Sequence, residues 1–169
     1  LKVTCKLDYQ VEGRENIPNE TAIILAKHQS TWETIAMQRI LPLQTWVLKR
    51  ELLWLPFFGW GLAMTRPIAI DRAAGKKALR QVIAQGTDRL KQGIWVVVCP
   101  EGTRIPYGSR KDYAIGGAML AAKSGFPVVP IAHNGGKFWP KIGLIKPGTI
   151  TLSIGQTISS EGKKAKEIN

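Results

Sequence analysis

Ile94-Trp-Val-Val-Val-Cys99, followed at once by Pro100-Glu-Gly-Thr-Arg104, is the stretch on which the fold reading turns. A short continuous apolar run bounded by turn-forming residues predicts a buried strand, here over Ile94–Cys99. Working outward, Ala73–Lys91 predicts a helix with Leu79, Val82, Ile83 and Leu90 on one side. On the other flank, Gly116–Lys123 predicts a short Ala-rich helix ended by Gly125, and Val128–Ala132 a strand. Thr21–Ala26 is a second short apolar run, and Ser30 opens a helix to about Ile40. Thr45–Leu48, Pro67–Ile70 and Thr149–Ile154 read as further strands. Strands alternating with helices predict an α/β domain with a mostly parallel central sheet flanked by helices.

The ends and the joins are read the same way. Val3, Cys5, Leu7, Tyr9 and Val11 alternate with mostly polar residues, which predicts a half-buried strand over Val3–Val11. Gly13–Glu20, with Pro18 and two Asn, predicts a turn. Leu52–Met64 is strongly apolar but is broken by Pro56, Gly59 and Gly61. Ser159–Asn169 is polar and lysine-rich, and is expected to be frayed.

With 44% apolar and 21% charged residues, the 169-residue chain has the composition of one globular domain. Its formal charge of +12 attracts polyanions: nucleic acid, anionic lipid or phosphorylated ligands. The basic residues are scattered and no nucleic-acid-binding motif is present, so no nucleic-acid partner is expected. Cys5 and Cys99 lie far apart and show no CxxC or zinc spacing. That argues against a disulfide framework or a metal cluster, and both read as buried free thiols. No apolar stretch reaches the roughly 18 residues of a membrane-spanning helix.

His28 follows the run Ala22–Ala26, so it falls at the carboxyl end of a strand, where ligands bind in open α/β sheets. Glu33 lies five residues on. On one continuous helix the two would stand about 140° apart, so the pair meets only with His28 in the loop and Glu33 in the first helical turn. A carboxylate there would hold one ring nitrogen and leave the other to take a proton from a hydroxyl. Ser30-Thr-Trp-Glu33 is also a capping box, and Glu33 as a cap for its own helix is the plainer reading. Pro100–Arg104 leaves a second buried strand at the same sheet edge. Gly102 permits close backbone approach, and Arg104 offers a planar fork for phosphate. The plainer reading is a polar turn with an exposed arginine.

His28-Gln-Ser-Thr-Trp-Glu33 resembles the H-x4-D block of the glycerolipid acyltransferases, the family of the bacterial lysophosphatidic acid acyltransferases. Pro100–Arg104 is similar to its P-E-G-T-R block. Pro67-Ile-Ala-Ile-Asp71-Arg72 resembles the block ending in a phosphate-contacting arginine, and Phe126-Pro-Val-Val-Pro130-Ile the final strand. Leu48-Lys49-Arg-Glu-Leu and Pro56-Phe-Phe-Gly-Trp60 resemble the stretches between the first two blocks. Order and spacing agree over about residues 20–135. Glu33 departs from the aspartate usual at its position.

The resemblance implies a glycerol-3-phosphate acyltransferase-like fold. It implies transfer of a fatty acyl group from acyl-CoA or acyl-ACP to the sn-2 hydroxyl of lysophosphatidic acid, giving phosphatidic acid. His28 would be the general base and Glu33 its orienting carboxylate. Arg72 and Arg104, with Lys49 second to them, would bind the substrate phosphate, and the loop residues Gly102 and Thr103 would also bind substrate. Glu101 would hold a substrate hydroxyl or orient Arg104. No metal or cofactor is expected beyond the thioester co-substrate, and His133, outside the four blocks, is assigned a structural or peripheral part. Trp54, Phe57, Phe58 and Trp60, just after Lys49 and Arg50, are expected to contact a membrane surface, with core packing the plainer alternative. One acyltransferase domain over residues 1–169 is expected, with an N-terminal membrane-anchoring segment lacking, on the cytoplasmic face of the inner membrane if bacterial. The competing functions are acylation of another lysophospholipid or a glycolipid, and non-catalytic binding of anionic lipid.

Overall fold

In the computed structural model, which describes residues 1–169, seven strands form one sheet. They are β1 (Leu7–Glu12), β2 (Ile23–Ala26), β3 (Gln44–Lys49), β4 (Ile68–Ile70), β5 (Trp95–Val98), β6 (Val128–His133) and β7 (Gly148–Ile154). The order across the sheet is β1-β7-β6-β2-β5-β3-β4, and every pairing is parallel except β6 with β7. The helices are α1 (Lys2–Cys5), α2 (Trp32–Ile40), α3 (Phe58–Met64), α4 (Lys76–Lys91), α5 (Gly116–Ser124), α6 (Gly135–Phe138) and α7 (Ala165–Ile168).

The apolar runs are continuous because the central strands are covered on both faces. Successive residues of β2, β5 and β6 feed opposite sides. Ile24, Val97 and Val129 join Trp32, Met37 and Ile40 of α2 in one cluster. Ile23, Val96 and Val128 join Val82 and Leu90 of α4 and Leu120 of α5 in the other. Gly125 ends α5 in the left-handed conformation, at φ +78°.

Four expectations need correction. The chain over Val3–Val11 is not one strand: Lys2–Cys5 form a helical turn, and Lys6, at φ +50°, swings the chain into β1. The ladder with β7 begins only at Leu7, opposite Gly148, and Val3 is 92% exposed, so its place in the alternation reported no burial. The helix expected over Ala73–Lys91 is interrupted. Arg72–Ala74 form a 3-10 turn capped by Asp71, and α4 starts after Gly75 at φ +47°. The C-terminal segment is not frayed: Ala165 and Ile168, one helical turn apart, are buried against the α4–α5 side of the sheet. Cys5 and Cys99 are free thiols but only partly buried residues.

Candidate active site

Parallel strands deliver their carboxyl ends to one edge, so β2, β3, β4, β5 and β6 all open their following loops there. β2 delivers Lys27 and His28, β5 delivers Pro100–Arg104, β4 delivers Arg72, β3 ends on Lys49, and β6 ends on His133.

His28 Nδ1 stands 2.7 Å from Glu33 Oε1, with the Glu33 side chain fully buried and the His28 side chain 22% exposed. The same Oε1 accepts the backbone N–H groups of Gln29 (3.1 Å) and Ser30 (3.0 Å), while Ser30 Oγ accepts the N–H of Trp32. Glu33 thus holds the histidine and the backbone just ahead of α2 with one oxygen, while the N-cap residue Thr31 makes no side-chain capping bond. Burial pushes the Glu33 carboxyl up. The His28 hydrogen bond, the nearby His133 and backbone N–H groups outweigh it, and the net shift is downward. An ionised Glu33 fixes the proton on Nδ1 of His28 and leaves Nε2 free to accept one.

Glu101 is also buried, and its oxygens are committed. Oε1 takes Lys27 Nζ at 2.6 Å, and Oε2 takes the backbone N–H of His28 at 3.0 Å. Glu101 makes no contact with Arg104, the residue it was expected to orient; it clamps the backbone of His28. Ile105 N–H donates to His28 O at 2.8 Å, so the loop grips the histidine from both sides. Arg104 Nη1 instead meets Thr31 Oγ1 at 3.1 Å, next to the N-terminus of α2. Arg72 Nη1 donates to Gly102 O, and Gly102 sits at φ +70°, where a side chain would be strained. Thr103 is exposed between them. Lys49 is exposed and lies 3.5 Å from Glu51. Arg50, which the sequence reading passed over as a site residue, pairs with Asp71 at 3.0 Å and ties the β3 exit to the β4 exit just before Arg72.

His133 is not peripheral. Gly135 N–H donates to its Nδ1 (3.0 Å), so Nε2 carries the proton and donates to Lys27 O (2.8 Å). The same nitrogen lies 3.7 Å from Glu33 Oε2, an oxygen with no hydrogen-bond partner. His133 lies two residues past the last motif, at the carboxyl end of the strand that the sheet order sets beside β2. Burial lowers the His133 imidazole below its ordinary 6.5, although Glu33 and the Lys27 carbonyl oppose that. The fold therefore holds His133 neutral, and stability is complete above about 6.5 and falls as the unfolded chain protonates first. Glu33, lowered from its ordinary 4.5, adds a second loss as pH drops through its folded value. Melting temperature should fall from pH 7 to pH 5, with a slope of at most about 1.4 kcal/mol per unit from the one proton on His133. His133→Gln should flatten that limb. An equally steep limb in the variant would show that His133 is not its source.

Cys99 lies behind Pro100–Arg104. Burial holds its thiol far above the ordinary value, and the charges of Glu33 and Glu101 raise it further. Partly exposed as a residue, it keeps its sulfur enclosed and protonated, which is the unreactive form. No cluster of three or more His, Cys, Asp or Glu side chains is placed to hold a metal ion.

The aromatic stretch decides against core packing. Trp54, Phe57, Phe58 and Trp60 are 69, 80, 59 and 63% exposed, and Met64 reaches 84%. They follow β3 at the edge that carries His28. No helix is long and apolar enough to cross a membrane.

A histidine–carboxylate pair at the carboxyl edge of a mostly parallel sheet, with Arg72 and Arg104 on the neighbouring loops, defines the class: an α/β protein with a polar, cationic loop cluster at that edge. Comparison with known proteins sharpens that class. The model of the Acyltransferase family matches residues 8–134, and the chain belongs to that family. It is 50% identical over 168 residues to a 1-acyl-sn-glycerol-3-phosphate acyltransferase of Pseudomonas aeruginosa, covering 99% of this chain and 65% of that protein. It is 31% identical over 170 residues to a Saccharomyces cerevisiae protein of the same name, covering 95% of this chain and 55% of the other. The crystal structure of the 1-acyl-sn-glycerophosphate (LPA) acyltransferase from Thermotoga maritima superposes with a TM-score of 0.78 at 29% identity, over 95% of this chain and 65% of that one. The chain thus spans between about half and two thirds of the relatives it matches.

Proposed function

We propose that the chain transfers a fatty acyl group from an acyl thioester, acyl-CoA or acyl-ACP, to the sn-2 hydroxyl of lysophosphatidic acid, giving phosphatidic acid. The observation that carries this reading is the 2.7 Å contact between His28 Nδ1 and the buried Glu33, at the sheet edge where Arg72 meets the Pro100–Arg104 loop and Arg104 ends it. The names and likeness of the relatives support it.

The chemistry follows from the geometry. His28 Nε2 takes the proton of the lipid hydroxyl as its oxygen attacks the thioester carbonyl. Glu33 holds the ring and stabilises the imidazolium that forms. The tetrahedral intermediate collapses with cleavage of the C–S bond, and the imidazolium returns its proton to the departing thiolate. Transfer is direct in this reading, and the Cys99 thiol, which burial keeps protonated, is not called on to carry the acyl group. Arg72 and Arg104 receive the phosphate of the acceptor, with Lys49 at the margin and Gly102 and Thr103 in the loop between the two. The test is acceptor competition: thiol release from palmitoyl-CoA with lysophosphatidic acid beside lysophosphatidylcholine and glycerol-3-phosphate. Preference for lysophosphatidic acid is expected; equal or greater rates with a choline headgroup would move the assignment to another acceptor.

The reaction takes place at a membrane surface, on the cytoplasmic face of the inner membrane if the source is bacterial. Trp54, Phe57, Phe58 and Trp60 form the contact, with the cations of Lys49 and Arg50 beside them. Trp54→Ser/Phe57→Ser should lower vesicle binding at least roughly tenfold, because two rings leave the interface. Unchanged flotation of the folded variant would remove these side chains from the contact.

A further inference from the structure

We propose that the loop between α6 and β7, residues 139–147, is a second membrane-docking element, on the far side of the active site from Trp54–Met64. The inference rests on the reading of the chain as an enzyme of the membrane surface. Ile142 and Leu144 are 86 and 87% exposed, as open as any large apolar side chain in the molecule except Val3. Their exposure does not come from a loose segment. Lys146 N–H donates to Phe138 O at 2.7 Å, Trp139 N–H to Gly135 O at 2.8 Å, and Trp139 and Ile145 pack against the core. Within one short loop Ile145 turns inward while Ile142 and Leu144 stand out from an anchored base.

Charge names the occupant. Residues 134–151 hold Lys137, Lys141 and Lys146 and no acidic residue, so aliphatic tips sit among unopposed cations. That pattern suits an anionic bilayer, in which apolar side chains enter the acyl boundary while lysines meet headgroups.

Topology supplies the geometry. β6 runs parallel to β2, so it ends at the edge that carries His28, and β7, antiparallel to β6, begins there. The loop joining them therefore stands at that edge. β3 ends at the same edge and opens into Arg50–Met64. In the order β7-β6-β2-β5-β3, the strand bearing His28 lies between the two exposed apolar projections. One contact would let the edge rock against the bilayer. Two, on either side of His28, hold it facing the surface from which a lysolipid arrives.

Flotation with vesicles of phosphatidylcholine, with and without phosphatidylglycerol, tests this. Ile142→Ser/Leu144→Ser is expected to lower the partition coefficient roughly tenfold on both vesicles. Lys141→Gln/Lys146→Gln is expected to remove mainly the gain from phosphatidylglycerol. Wild-type partitioning of folded Ile142→Ser/Leu144→Ser overturns the proposal. So does a change confined to self-association in sedimentation, which would assign the loop to a second copy of the chain. If Trp54→Ser/Phe57→Ser is unaffected too, the membrane-surface reading itself fails, and not only the second contact.

Discussion

His28→Ala should lower acceptor-dependent thiol release from palmitoyl-CoA at least roughly a hundredfold while leaving the fold in place. Chemistry and stability separate here because of where the side chain sits. The ring is partly exposed at a strand end, and its removal empties little core. The backbone N–H of His28 keeps its bond to Glu101 in the variant. Glu33, however, loses the strongest of the interactions that keep it ionised, so the acid limb of stability should shift upward. Glu33→Asp is the informative companion. The carboxylate must reach from the first turn of α2 back to the loop, and a chain one methylene shorter must pull the helix start inward to restore the 2.7 Å contact. Its activity should fall between wild type and His28→Ala. A His28→Ala protein that is folded and fully active would remove His28 from the chemistry.

Glu101→Ala should cost both stability and rate. Removing the carboxylate leaves Lys27 Nζ with only a 3.4 Å contact to Ser109 O, and strips the acceptor from the buried N–H of His28. Breaking a buried pair from one side typically costs about 3–5 kcal/mol, and the 20% exposure of the Lys27 side chain places this case near 3. The rate should drop because the loop that places His28 is no longer clamped. Glu101→Gln keeps the volume and one acceptor, so it should recover the larger part of the stability. Chemical denaturation of the two variants, with kcat measured on each, checks both halves. A Glu101→Ala protein as stable as wild type but inactive would instead put Glu101 on the substrate.

Much of the frame was legible. Five apolar residues in a row before Cys99 mean a strand covered on both faces, and the two core clusters on either side of Val96 and Val97 are that covering. Placing His28 and Pro100–Arg104 at one edge needed only their positions after two such strands. Misreadings arose where a local pattern lacked its partner. Val3 and Cys5 alternate as a strand would, but β7 offers no backbone beyond Gly148 for them to pair with. Ala165 and Ile168 are two apolar positions in a lysine-rich tail, and only contact with α5 gives them a reason to order. Within the site, Glu101 looks like a ligand-facing carboxylate from its loop, since sequence does not reveal that Lys27 lies opposite. His133 needed the strand order, which a single sequence leaves open. Composition alone does not show whether the aromatic run Trp54–Trp60 fills a core, and only its exposure in the fold answers that it does not.

The most direct measurement follows the acyl group itself. The chain is mixed with palmitoyl-CoA labelled in the acyl carbon, with and without lysophosphatidic acid, and both lipid and protein fractions are counted over a single turnover. Direct transfer through His28 predicts label in phosphatidic acid only when the acceptor is present, none on the protein at any time, and neither in His28→Ala. Label accumulating on the protein before the acceptor is added, or phosphatidic acid formed at the wild-type rate without His28, would contradict it.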